Sequence, residues 1–140
     1  MADALGVAAS VAGLMTIADS IVRKGFKFLK DVKDAEKSVQ KLLEEVNNLS
    51  GVLHSLNNIV ERLEEEGANV DTSTQIHYIE SCYKTLKKIQ DLFDEAVPTA
   101  PLSKRDRLKW PLKKEHTKEL LVEIGRHKAT MILAMTAREM

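Results

Sequence analysis

The sequence predicts an all-α protein: a bundle of four long antiparallel helices, or five if the first is broken near Gly25. Three observations lead there. Apolar residues recur at spacings of three and four along most of the chain. Six Gly and three Pro in 140 residues supply few of the turns that an all-β fold needs. Hydrophobic residues make up 44%, too many for a disordered chain. Residues 1–140 are expected to form one domain, burying roughly two-thirds of the surface exposed by the unfolded chain.

The first element, residues 1–22, reads MADALGVAASVAGLMTIADSIV, and residues 4–18 carry no charge. On a helical wheel Val7, Val11, Leu14, Ala18, Ile21 and Val22 fall within an arc of about 100°. Ala9, Ala12, Gly13, Thr16 and Ser20 lie opposite, a small-residue face that lets another helix approach closely. An export signal needs a positive start, and residues 1–4 hold Asp3 and neither Lys nor Arg. The uncharged run, interrupted by Ser10 and Thr16, is shorter than the ~20 residues of a bilayer crossing. This segment is therefore expected to remain in the mature chain as an apolar N-terminal helix.

The second element, residues 31–66, shows the clearest periodicity. Val32, Ala35, Val39, Leu42, Val46, Leu49, Leu53, Leu56, Val60 and Leu63 alternate between spacings of three and four, a heptad seam. Leu43, Val52 and Ile59 widen it into the stripe of a helix packed inside a bundle. Gly67 supplies a left-handed stop, and Thr72 with Gln75 fits a capping box for the next helix.

The third element, residues 72–97, repeats the pattern through Ile79, Cys82, Leu86, Ile89, Phe93 and Ala96, with Ile76 and Tyr83 alongside, until Pro98 stops it. The fourth runs from about residue 108 to 138 after a Pro-containing loop. Pro111 is tolerable in its first turn, and Leu120, Ile124, His127, Met131 and Ala134 share one face, flanked by Leu121, Ile132 and Met135. The periodicity persists almost to Met140, so the natural protein is expected to continue beyond it.

Net charge is zero, from 21 basic and 21 acidic residues, but the signs are sorted. Residues 23–40 hold six basic and three acidic groups, 41–71 two and seven, and 98–118 seven and two. Such blocks serve either as solvated, mutually complementary faces or as contacts for a charged surface. Cys82, the sole cysteine, rules out an intrachain disulfide and suits a reducing, cytoplasmic location. It falls in the apolar seam, where a buried, inert thiol is expected.

Catalytic chemistry is not expected. The four histidines, His54, His77, His116 and His127, have no metal-ligand spacing, and phosphate-loop and nucleophile-elbow motifs are missing. Glu61, Glu64, Glu65 and Glu66 crowd a helix end, where paired carboxylates would stay solvated. No cofactor, metal or small-molecule substrate is expected. The run KRDRLKWPLKK interleaves Trp110 with cations, yet aromatics are only 4% of residues and offer no stacking platform, which argues against nucleic acid. Membrane contact fits better, because an apolar helix runs directly into a basic block that anionic headgroups attract by about 1 kcal/mol per cation. The competing reading is a small-residue helix tucked against the bundle.

The opening MADALGVAASVAGL and the closing LKWPLKKEHTKELLVEIGRHKATMILAM together resemble the HeLo-like N-terminal domains of fungal NLR-type (STAND) proteins. Those domains are similar to the four-helix bundle of the mixed-lineage kinase domain-like pseudokinase and to plant NLR coiled-coil domains. The resemblance spans nearly the whole chain and is most specific at Trp110-Pro111-Leu112 and at His127, Lys128, Ala129 and Thr130.

It implies an effector module at the N-terminus of a receptor, cytoplasmic until oligomerisation exposes its first helix and brings it to the plasma membrane to trigger regulated cell death. The implied partners are other copies of the chain and an anionic lipid membrane. Residues 5–22 would be the membrane-active element, with Leu5, Val7, Val11, Leu14, Ile17 and Ile21 facing lipid and Asp3 and Asp19 facing an aqueous lumen. Arg23, Lys24, Lys27, Lys30, Lys33 and Lys37 would contact headgroups. The alternative expectation is a helical module for homotypic assembly or partner docking, without membrane activity.

Overall fold

The structure, a computed structural model, describes the backbone of residues 2–31, 37–67, 73–96, 112 and 114–139, and the side chains of residues 11–30, 37–63, 65–67, 78–96, 112 and 114–136. The described residues form a bundle of four helices, α1 (Ala2–Asp31), α2 (Lys37–Glu65), α3 (Ser73–Ala96) and α4 (Lys114–Glu139).

α1 is one continuous helix of 30 residues, about 45 Å long. The alternative of a break near Gly25 does not occur. Gly in a helix interior is unfavourable by about 1 kcal/mol relative to Ala, and tertiary packing supplies the reason for it here: Gly25 is buried against Leu43 of α2, whose side chain occupies the space that a Cβ would need. The apolar N-terminal segment and the basic segment after it are thus parts of a single rod.

The seam of α2 packs inward as its spacing requires, with Val39, Leu42, Val46, Leu49, Leu53 and Val60 buried and Leu56 and Leu63 half-buried. Val32 and Ala35 lie outside the described residues, as do Thr72 and Pro98. Gly67 has φ 74°, the left-handed conformation that ends α2, after a backbone bond from the Glu66 N–H to the Arg62 carbonyl at 3.0 Å. In α3 the whole series Ile79, Cys82, Leu86, Ile89, Phe93 and Ala96 is buried, whereas Tyr83 is exposed. Leu112 lies in a bend, α4 is described from Lys114, and residues 108–111, where the fourth helix is expected to start, are outside the described residues.

Contacts between named residues set the helix directions. Asp19 meets Ser50 and Gly25 meets Leu43, so α1 and α2 are antiparallel. Ser20 meets Gln90 and Lys24 meets Asp94, so α1 and α3 are parallel. α1 packs between α2 and α3, α4 closes the other side against the same two helices, and the step from α2 to α3 crosses the bundle diagonal. At one end Phe28 meets Phe93 edge to face, with centroids 6.0 Å apart and planes at 76°. Of the four seams, α3–α4 is the least closely packed.

Candidate functional site

α1 presents two different faces. Its inner stripe, Val11, Leu14, Ala18, Ile21 and Phe28, lies in the core at 1% exposure or less, and Ile17 is half-buried. Fully burying each of the larger side chains contributes about 1.5–3 kcal/mol, so apolar contact is the main force docking α1. Val11, Leu14 and Ile21 therefore face protein while the helix is docked, and could meet lipid only after α1 leaves the bundle. The side chains of Leu5, Val7 and Asp3 lie outside the described residues.

Polar contacts fasten the same helix on both sides. Ser50 Oγ of α2 donates to Asp19 Oδ1 at 2.6 Å, and His54 Nε2 lies 3.4 Å from Asp19 Oδ2. Toward α3, Lys24 donates to Asp94, and Gln90 Nε2 donates to Ser20 Oγ at 3.5 Å. Asp19 and Lys24, assigned from the resemblance to a lumen and to headgroups, are thus docking contacts in the closed bundle.

The other described cations of the basic block make no ion pair among the described residues. Arg23, Lys27 and Lys30 are exposed along the outer face of α1 and Lys37 opens α2. Lys33 lies outside the described residues. Phe26 stands among these cations at 55% exposure, an aromatic that no apolar periodicity marks because it lies on the side of α1 away from the buried stripe. Among the described residues no helix is long and apolar enough to cross a membrane.

The open α3–α4 seam holds the other polar cluster. Thr85, buried on α3, donates its hydroxyl proton to the Ser81 carbonyl at 3.2 Å. A hydroxyl has one proton, so the 2.9 Å contact between His127 Nε2 and Thr85 Oγ1 is donated by the histidine, leaving Nδ1 as its acceptor. Burial pushes the His127 pKa below the ordinary imidazole value, with Glu123 opposing and Arg126 reinforcing the shift. Cys82 lies in the core nearby on α3, its thiol pushed up to about 12 by burial, so it is an inert thiol rather than a nucleophile. Among the described residues no three His, Cys, Asp or Glu side chains are grouped so as to hold a metal ion. Sequence periodicity placed His127 on an apolar face but could not show that the seam beside it stays open.

A four-helix bundle whose first helix is held by an apolar stripe and a few polar contacts, with one seam left open, defines the class of domain. Residues 2–140 match the family model described as pigment biosynthesis cluster protein PigL N-terminal, and the chain belongs to that family. No curated protein and no solved structure matches the chain.

Proposed function

We propose that this domain is the N-terminal effector module of an NLR-like receptor, which oligomerises and targets or permeabilises membranes through α1 to trigger regulated cell death. The observation that carries the reading is the construction of α1. An uncharged, small-residue half continues without a break into an exposed basic half, and the same stripe that docks the helix is apolar enough to enter lipid.

Lipid chains are about as apolar as a protein core, so Val11, Leu14 and Ile21 themselves lose little by moving from one to the other, while the faces of α2 and α3 that they leave must be covered by lipid or by a neighbouring copy. Polar terms enter on both sides. Release breaks Asp19–Ser50 and Lys24–Asp94, contributing about 1 kcal/mol each. Against this, Arg23, Lys27, Lys30 and the freed Lys24 each gain about 1 kcal/mol beside anionic headgroups. Residues 4–18, about 22 Å as helix, do not cross the ~30 Å hydrocarbon layer alone, so α1 would lie in the interface or act in an oligomer.

Forced oligomerisation of the domain on vesicles rich in anionic lipid tests this. Dye should escape with the intact chain and be retained when residues 1–22 are removed. Charging Val11 or Leu14 would unfold the bundle, so the decisive variants are Arg23→Glu and Lys27→Glu, exposed while α1 is docked and without an ion-pair partner among the described residues. These should fold normally and abolish leakage; undiminished leakage would overturn the reading.

One observation favours the assembly reading as a second. The outward face of α4 exposes Ile132 and Leu133, the latter at 70%, and residues 124–138 contain no acidic side chain. A second copy of the chain would cover this face. Leu133→Lys should then shift sedimentation from oligomer to monomer, and a wild-type monomer at high concentration would exclude it.

A further inference from the structure

We propose that the α3–α4 seam is a binding site for an amphipathic anion, a small molecule with a phosphate or carboxylate head and an apolar body. Two adjoining clefts run along it, of about 470 and 540 Å³, each within the size range of small-molecule sites. They share Lys88 of α3 and Glu123 and Arg126 of α4, so they form one groove with a charged waist.

The two ends differ in chemistry. The cleft beside the start of α4 has apolar walls from Leu112, Leu120 and Val122. The other is lined by Tyr78, Thr85, His127 and Lys84, which offer hydroxyls, an imidazole and a further cation. Lys84, Lys88 and Arg126 make no ion pair among the described residues, and against these three cations the groove sets two carboxylates, Glu123 at the waist and Glu119 at the apolar end, 3.6 Å from His116. An anionic head would satisfy the excess positive charge, with Arg126 able to donate two parallel hydrogen bonds to a carboxylate or phosphate. The link between the helices, residues 97–113, is itself basic, with five basic residues and one acidic. A ligand spanning the groove would tie α3 to α4 across the least closely packed seam and so favour the closed bundle. The site is independent of whether α1 meets a membrane.

Titration of the whole chain with dodecyl phosphate below its micelle concentration tests the proposal, read by thermal denaturation and by side-chain NMR signals of Thr85 and His127. Saturable binding that raises the melting temperature and moves those signals is expected. Inorganic phosphate should move the same signals at higher concentration, and dodecyl maltoside, apolar but uncharged, should not. Lys88→Glu with Arg126→Glu, both exposed positions, should keep the helical circular dichroism and weaken binding at least tenfold. Unchanged affinity in that double variant overturns the proposal, as do signals that move along Arg23, Lys27 and Lys30 instead of in the groove.

Discussion

Ser50 of α2 donates to Asp19 of α1 across 2.6 Å, a charge-assisted bond at the point where the uncharged half of the first helix gives way to its basic half. Ser50 is buried, so its removal leaves Asp19 with a weaker partner in His54 at 3.4 Å. Ser50→Ala is expected to lower stability by about 1 kcal/mol, because the carboxylate it meets remains partly solvated. Urea denaturation measures this, and under the proposed function the same variant should shorten the lag before vesicle leakage. An unaltered urea midpoint would show that the contact does not hold α1.

Glycine substitutions should divide by position. At Gly25 a Cβ would fall 2.9 Å from Leu43 Cδ2 and closer still to Cδ1, in a region where Leu43 is 1% exposed and cannot swing into solvent. Gly25→Ala should destabilise the bundle by about 1–2 kcal/mol despite its better helix propensity. Gly51 and Gly125 meet nothing within 4 Å, so Gly51→Ala and Gly125→Ala should each stabilise by about 0.5–1 kcal/mol. Melting temperatures of the three variants give the comparison directly, and a stabilised Gly25→Ala would contradict the close approach of α1 and α2.

Acid should weaken the bundle through His127. Its pKa is lowered in the folded state, so between that value and the unfolded value near ~6.5 the unfolded chain binds more protons. The stabilising contribution is whole above the unfolded value and is lost as pH falls toward the folded one. Lys84, Lys88 and Thr85 of α3 share the groove with it, as do Glu123 and Arg126 of its own helix. His127→Gln keeps a donor for Thr85 and removes the titration. The difference in melting temperature between it and the wild type should therefore change as pH falls below about 7, and be flat above that.

Cys82 should report on opening of the core. With a thiol pushed up to about 12 and no exposed surface, it presents almost no thiolate to a reagent in the folded state. Iodoacetamide should modify it at least about a hundredfold more slowly than in urea, at a rate set by local unfolding of α3. Rapid labelling of the folded chain would mean that α3 is not held as described.

What could be read from residues alone was whatever depends on neighbours in sequence. The heptad seam of α2, the inward series from Ile79 to Ala96 and the left-handed stop at Gly67 all follow from helical geometry, in which positions three and four apart share a face. The same reasoning identified Val11, Leu14 and Ile21 as one stripe but could not say what covers it, because burial in a core and insertion into lipid ask for the same side chains. It also left Gly25 open between a break and a continuous helix, since a glycine that breaks a helix and one that admits a neighbouring Leu look identical in sequence.

Hydrophobic periodicity, a one-dimensional property, thus determined the fold class and the inward face of each helix. Tertiary structure alone decided which helices became neighbours. The diagonal step from α2 to α3 set α1 beside α3, joined Lys24 to Asp94, and left α3 and α4 loosely closed around Thr85 and His127. Those pairs lie 70 and 42 residues apart, and such contacts depend on the free energy of packing whole helices together, which no local pattern of residues contains.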